Sequence, residues 1–302
     1  MAQAEDPNAR RSQPELVATT GYEVMEADEN VETDAYLSDE TIILDNFVTK
    51  VTLGAKSLDN VEVTERNNVV KVDSGVPSDT FNVIIPMSKG TENSFQELLR
   101  SVQTLQMKGF PMSIWVDDRF ISCHLTSMLK TMGFQEAESN ITMRKNISSN
   151  ILPFETLKGT LDIRQVMSAV DVLIYSDIFK SLFGDSIESK AIGEYFNKVA
   201  LIFDSSQSAV QMYIGFANGR AVSTGCIVEA DHSYGIYDLI TKEKERGKGY
   251  GSAMFQYLLN QLDGSKHKPC ILQASPDGLG IYKKAGFESI GEMIVFEAKC
   301  RL

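Results

Sequence analysis

A glycine-rich segment near residue 250 has the residue types and the spacing of a phosphate-binding turn. It reads Arg246-x-x-Gly249-x-Gly251 and stands between a predicted strand and a helix that we expect to start at Ser252. Glycines let a backbone approach a ligand closely and present successive N–H groups. A helix start adds unpaired N–H donors and the positive end of the helix dipole. Together with the positive charges of Arg246 and Lys248, the segment predicts a pyrophosphate site; a plain turn is the alternative.

The elements around this turn alternate between strand and helix patterns. Asn218-Gly219 is typical of a tight hairpin turn. The predicted order is a helix near 166–183, strands at 211–217, 221–229 and 235–241, a helix at 252–262, a strand at 270–274, a helix at 279–285 and a strand at 289–298.

The first half of the chain shows a similar order. Asn67-Asn68 indicates a hairpin between strands 61–64 and 69–72, and Ser94-Phe95-Gln96-Glu97 is typical of a capping box opening a helix that runs to about residue 108. The other predicted elements are a helix or strand at 41–53, strands at 81–85, 112–116 and 140–144, and a helix at 125–132. Gly133-Phe134 then matches Gly286-Phe287, and we interpret the chain as two weakly similar α/β units in tandem.

The glycine-rich turn is followed by a second signature, Gly280-Ile281-Tyr282-Lys283-Lys284-Ala285-Gly286-Phe287, in which a short helix with a tyrosine precedes Gly-Phe. The pair resembles the GNAT acyltransferase superfamily. Val70–Gly75 and Ser78–Asn82 are similar to the first half of bacterial tandem GNAT proteins. The resemblance implies an α/β (α+β) fold of two tandem GNAT-like domains, each with a mixed, mostly antiparallel central sheet flanked by helices.

The resemblance also implies roles for individual residues. The strand edge that pairs with the pantetheine arm of coenzyme A would be Leu239, Ile240 and Thr241. The pyrophosphate turn would be Arg246, Gly247, Lys248, Gly249, Tyr250, Gly251 and Ser252. Ser275 stands where many relatives have a polar side chain that contacts the coenzyme. Tyr282 matches the tyrosine that protonates the leaving thiolate, with packing on an amphipathic helix as its alternative.

Transfer to an amine requires a group that accepts a proton, because the neutral amine attacks the thioester carbonyl directly. Asp238 lies on the appropriate strand and is the candidate base, although strand alternation allows it to face the core instead. His232 and Glu229 are near it in sequence. No cysteine has a supporting histidine and acid, and direct attack requires no enzyme nucleophile.

The predicted domains are an acidic, flexible leader at 1–40, a degenerate GNAT-like domain at 41–150 and a catalytic GNAT domain at 151–302. The loop 87–93 of the first unit lacks the arginine and all but one of the glycines of the pyrophosphate turn, and Leu129 replaces the tyrosine. We therefore expect the first unit not to bind coenzyme A but to pack on the second and to form a wall of the substrate cleft.

Composition excludes several classes of protein. The net charge is −12, and residues 1–40 hold eleven acidic and two basic side chains, so the remainder is close to neutral and has no nucleic-acid-binding character. No apolar run is long enough for a membrane span and no secretory signal is visible, which predicts a cytoplasmic protein. The four cysteines and three histidines are scattered, so we expect reduced thiols and no metal.

The resulting hypothesis is an acetyl-CoA-dependent N-acetyltransferase acting on a primary amine of a small molecule, a peptide or protein N-terminus, or a lysine. We expect the acceptor surface to come from residues 162–189, the turn 229–234 and the first unit; an oligomer is possible. The alternative is a non-catalytic acyl-CoA-binding or interaction protein with a GNAT scaffold. Transfer of a longer acyl group is a third possibility.

Overall fold

A computed structural model describes residues 38–147, 161–205 and 210–298. Most of the predicted leader, residues 1–37, lies outside this part, as does Cys300. The described helices are α1 (Asp39–Lys56), α2 (Glu92–Met107), α3 (Cys123–Thr131), α4 (Ala169–Lys180), α5 (Ile187–Ile202), α6 (Tyr250–Asn260) and α7 (Leu279–Lys284). The strands are β1 (Glu62–Arg66), β2 (Val69–Asp73), β3 (Val83–Pro86), β4 (Ser113–Asp117), β5 (Phe134–Asn146), β6 (Asp162–Gln165), β7 (Val210–Ala217), β8 (Arg220–Glu229), β9 (Tyr234–Thr241), β10 (Pro269–Ala274) and β11 (Glu288–Ala298).

Local turn chemistry fixes many of these boundaries. Asn67, Asn68 and Asn218 have positive φ, as the tight turns of the β1–β2 and β7–β8 hairpins require. Both hairpins are confirmed. The capping box was wrongly placed at 94–97: Thr91 is the N-cap of α2, its hydroxyl accepts from Ser94 N at 3.3 Å, and Ser94 Oγ accepts from Thr91 N at 2.6 Å.

All eleven described strands join in one sheet of order β1-β2-β3-β4-β11-β5-β10-β9-β8-β7-β6. Within it, only the β3–β4 and β9–β10 pairs are parallel. The expected mixed, mostly antiparallel architecture is therefore confirmed. Helix α5 and strand β6 were not predicted.

The last strands of the two halves are exchanged. Strand β5, from the first half, lies between β11 and β10, and β11 lies between β4 and β5. The motifs Gly133-Phe134 and Gly286-Phe287 start these two strands, and both glycines have positive φ. All described residues belong to one compact unit, and the division at residue 150 stays a prediction.

Helix α1 connects the two halves on one face of the sheet. Asn46, fully buried, donates from Nδ2 to Ser233 Oγ at 2.9 Å, and its Oδ1 accepts from Tyr237 Oη at 3.0 Å. A Cβ on Gly235 would lie 2.1 Å from Asn46 Oδ1, so only glycine permits this approach. Helices α4 and α5 lie on the same face as α1, and α6 and α7 pack on the opposite face.

Candidate active site

The glycine-rich turn presents open backbone donors to solvent. Gly247 and Gly249 have φ of 75° and 83°, which disfavours side chains there. Helix α6 begins at Tyr250, two residues earlier than predicted, with Gly249 as an N-cap that offers no side-chain acceptor. Within the described chain, the N–H groups of residues 249–252 donate no hydrogen bond. These four donors point out of the start of the helix, where an anion is stabilised.

The basic side chains of the turn lie at its surface. Arg246 donates from Nε to Thr241 O at 3.2 Å, and Lys248 pairs with Glu245 at 2.7 Å. A Cβ on Gly251 would contact Thr241 Oγ1 at 3.5 Å, so the start of α6 adjoins the end of β9. The turn and the strand edge that sequence reasoning singled out are therefore neighbours.

The strands β9 and β10 part beside this turn. Their parallel ladder contains only the pairs Tyr234–Cys270 and Gly235–Ile271, so residues 236–241 leave one strand edge without a β10 partner. An extended ligand with amide groups can pair with such an edge. On β10, Gln273 Nε2 is buried and has no acceptor in the described chain. It is a further donor at the place where the strands part.

Asp238 faces the α1 side of the sheet because of a β-bulge. Between the pairs Thr224–Ile240 and Cys226–Tyr237, β9 has one residue more than β8, and Asp238 adopts a φ of 52°. This breaks the alternation along the strand, so Asp238 and Tyr237 face the same side. The carboxylate borders a cavity. Of the two orientations that the sequence left open, toward a site or into the core, the structure shows the one toward the cavity.

The cavity has a volume of about 350 Å³ and is bordered by α1, α4, α5, β7, β9 and the segment 80–83 of the first half. Asp238 Oδ1 accepts from Lys50 Nζ of α1 at 2.6 Å, and Oδ2 accepts from Tyr175 Oη of α4 at 3.3 Å. Burial lowers the pKa of Lys50, but the charge of Asp238, the neighbouring Cys226 and the hydrogen bond to Asp238 together outweigh burial, so the pKa lies above its ordinary value. The amine therefore stays an ammonium ion.

Tyr282 lies on the other side of the sheet, in the cluster formed by α6 and α7. Its ring is 8% exposed and packs edge-on against Phe255 at 4.9 Å. Burial raises the pKa of its hydroxyl to about 12, so the proton is retained at neutral pH. Asp238 and Tyr282 thus lie on opposite faces of the sheet.

Comparisons with known proteins show which family the second half of the chain resembles. Residues 180–300 match the family described as "Acetyltransferase (GNAT) domain". Residues 180–300 carry a GNAT domain. The superfamily membership predicted from the sequence is confirmed, and acyl transfer is the chemistry of that superfamily. No curated protein matches the chain.

Solved structures with the same fold extend over most of the chain. A GCN5-related N-acetyltransferase from Kribbella flavida is 13% identical with a TM-score of 0.58, covering 85% of this chain and 96% of its own. A functionally unknown conserved protein from Staphylococcus epidermidis is 17% identical with a TM-score of 0.57, covering 83% and 99%. A putative GNAT-family acetyltransferase from Novosphingobium aromaticivorans is 14% identical with a TM-score of 0.50, covering 85% and 98%. At these identities the likeness shows the fold alone.

The other sequence candidates lie apart from the cavity. Ser275 is exposed, and its carbonyl accepts from Gly278 N at 3.0 Å, at the start of α7. Glu229 pairs with Lys266 at 2.7 Å and with Lys268 at 3.0 Å. A hydrogen bond from Lys266 lowers the pKa of Glu229. Neither Glu229 nor His232 borders the cavity.

The equivalent turn of the first half is closed. The side chains of Ser94 and Thr91 accept hydrogen bonds from two N–H groups at the start of α2, those of Thr91 and Ser94. The ring of Phe95 lies where a Cβ on Gly90 would stand, 2.2 Å from its Cζ atom. These contacts occupy two of the N–H donors and part of the space that a phosphate would need, which favours the expectation that this unit does not bind coenzyme A.

Lys50 and Tyr175 were missed by sequence reasoning. Both contact Asp238 only through tertiary packing, over sequence separations of 188 and 63 residues. The first half forms part of the cavity wall: besides Lys50 this part includes Thr80, Phe81 and Val83. That the cavity is the substrate cleft stays a prediction.

A carboxylate contact holds this wall in place. Glu188, at the start of α5, accepts from Ser78 Oγ at 2.5 Å and from Thr80 N at 3.4 Å. Burial, followed by the charges of Glu188 and Glu297, raises the pKa of Asp79 to about 6. Asp79 therefore binds its proton more tightly in the folded chain than in the unfolded chain.

Asp79→Asn should stabilise the protein at neutral pH and not in acid. Because the folded pKa is raised, the contribution of Asp79 to stability is fully present below pH about 4 and is lost as the pH rises through about 6. After allowance for partial exposure, the variant should gain about 1–2 kcal/mol in free energy of unfolding at pH 8. Urea denaturation at pH 4 and pH 8 measures it, with Asp59→Asn as control. An equal effect at both pH values would contradict the assignment.

Proposed function

We propose that this protein is an acetyl-CoA-dependent N-acetyltransferase that acts on a primary amine. The observation that carries the proposal is the conjunction of three features at one place. The four open N–H groups at 249–252 adjoin the unpaired edge of β9, and the bulged Asp238 on that strand faces a cavity. A binding site for the acetyl donor and a binding site for the amine acceptor would thus meet where β9 and β10 part.

The residues present fit coenzyme A. The donors at 249–252 suit a pyrophosphate, with Arg246 and Lys248 adding charge, and the free edge at 239–241 suits the amides of a pantetheine arm. Gly247 leaves the approach open, since no atom lies within 4 Å of a Cβ placed there. Acetyl-CoA supplies an activated acetyl thioester when bound. Backbone N–H groups on the free edge of β9 would polarise a carbonyl held there.

Proton movement is assigned to one residue on each face of the sheet. Asp238 accepts the proton that the acceptor amine must lose, because it is the carboxylate that borders both the cavity and the parted strands. Tyr282 donates to the leaving sulfur from the α7 side, and its retained proton suits this role. Cys226 is no nucleophile: burial raises the pKa of its thiol well above the ordinary value.

Calorimetric titration with acetyl-CoA tests the donor site. The wild-type protein should bind, and the double variant Arg246→Ala, Gly249→Ala should bind at least about tenfold more weakly. The substitutions remove a charge and force a side chain into a left-handed backbone position, together costing about 1–3 kcal/mol. Lys244→Ala, an exposed position on the same loop, controls for lost charge. Absence of binding by the wild type would refute the proposal.

A further inference from the structure

The cavity next to Asp238 has mostly apolar walls. It is bordered by six aromatic side chains: Phe81, Tyr175, Phe179, Tyr195, Phe196 and Phe203. Phe81 stacks on Tyr195 with ring centroids 3.9 Å apart, so this wall is a packed aromatic surface. A volume of about 350 Å³ suits a small molecule with a compact body.

The charge of Asp238 at the cavity wall is already compensated by a lysine. Asp238 is paired with Lys50 at 2.6 Å, and their side chains are only 17% and 25% exposed. The third charged residue of the walls, Asp204, has an interaction of its own. A substrate ammonium ion that approached the carboxylate of Asp238 would also come close to the positively charged Lys50. Like charges at such distances repel strongly in a partly desolvated site.

We infer, on the basis of the proposed acetyltransferase function, that the acceptor is a weakly basic amine on a compact aromatic body, bound uncharged. Such an amine is neutral at physiological pH and needs no carboxylate as a counter-ion. Its ring matches the aromatic walls, where apolar and ring–ring contacts stabilise it. Polyamines and lysine side chains fit this cavity poorly, because they are cations and the charge of Asp238 is already compensated by Lys50.

The transfer balances with these groups alone. A C–N bond forms as the C–S bond of the thioester breaks. The nitrogen loses one proton, which Asp238 accepts, and the sulfur gains one, which Tyr282 donates. Lys50 remains charged throughout and acts as a specificity-determining residue by keeping cations away from Asp238.

Two isomeric amines, p-toluidine and benzylamine, separate charge from size. They have the same atoms, but only benzylamine is a cation at neutral pH. Calorimetry should show tighter binding of p-toluidine to the wild type. Lys50→Met keeps the length of the side chain and removes its charge. It should shift the kcat/KM ratio of p-toluidine to benzylamine toward benzylamine by about tenfold, since an uncompensated carboxylate favours a cation.

Lys56→Met is the matched control, since Lys56 lies six residues, about 1.7 turns, further along α1 and forms an exposed ion pair with Glu65. It should leave the ratio unchanged. Tighter binding of benzylamine by the wild type, or an unchanged ratio in a folded Lys50→Met protein, would overturn the inference. If no amine causes release of the coenzyme A thiol, the acetyltransferase proposal fails. The relative binding of p-toluidine and benzylamine then still shows whether the cavity prefers the neutral or the cationic amine. Turnover of cationic amines in preference to p-toluidine would leave the acetyltransferase proposal standing and refute this one.

Discussion

Asp238→Asn should reduce turnover by about 10²–10³-fold, the usual contribution of a general base. Acetyl-CoA affinity should stay within about twofold, because the carboxylate faces the cavity rather than the pyrophosphate turn. The asparagine keeps the shape of the bulge and can still accept from Tyr175, but it cannot take a proton from the acceptor. Initial rates of thiol release, with calorimetric titration of acetyl-CoA on the same samples, provide the measurement.

The loss of the ion pair must be separated from the loss of the base. Lys50 would be left without its carboxylate, so a second variant, Lys50→Met with Asp238→Asn, removes both charges together. Turnover should stay low in the double variant if Asp238 is the base. Recovery of turnover there would show that the uncompensated lysine, and not the missing base, caused the defect. Asp177→Asn, on the exposed side of α4, controls for the substitution type.

Tyr282→Phe should lower kcat by about 10–10²-fold and leave folding intact. The hydroxyl makes no hydrogen bond in the described chain, while the ring packs on Phe255, so phenylalanine preserves the packing. The thermal midpoint should therefore change by no more than a few degrees. Because the pKa of Tyr282 is about 12, the wild-type rate should show no loss from its ionisation up to about pH 10.

Tyr257→Phe is the appropriate comparison, because Tyr257 also packs edge-on against an aromatic ring, that of Tyr213, at 5.7 Å. It should retain full turnover. Retained turnover in Tyr282→Phe would instead favour the packing alternative for Tyr282, in which another group or solvent protonates the thiolate.

Local sequence signals predicted much of the fold. Asn67-Asn68 and Asn218-Gly219 could be placed because few residues tolerate the left-handed backbone of tight turns. The glycine-rich turn was recognisable for the same reason, since Gly247 and Gly249 both have positive φ. The N-terminal boundary of α2 was misplaced because two overlapping hydroxyl-bearing segments compete, and Thr91 is the residue whose side chain caps the helix.

Features that depend on long-range packing were not predictable. The orientation of Asp238 follows from a bulge that adds one residue to β9, and periodicity alone gives the opposite face. The pairing of Lys50 with Asp238 joins α1 to the second half across 188 residues. The exchange of β5 and β11 is equally invisible, because either strand has the pattern to complete its own half.

The exchange of strands β5 and β11 explains how the first half can border the cavity although its own turn at 87–93 is partly blocked. By pairing β5 with β10 and β11 with β4, the chain makes one continuous sheet from both halves. Helix α1 and the segment 80–83 of the first half border the same cavity as β9 of the second half. The first half would then contribute the acceptor wall and Lys50, while the second half would bind the donor.

The most direct test of the account is a product measurement. The wild-type protein, acetyl-CoA and a panel of amines that includes p-toluidine would be incubated, with thiol release and acetylated amine quantified together by absorbance and mass spectrometry. We predict one amide formed per thiol released, and loss of both in Asp238→Asn. Binding of acetyl-CoA with the thioester left intact in the presence of every amine would contradict catalysis and identify a non-catalytic acyl-CoA-binding protein.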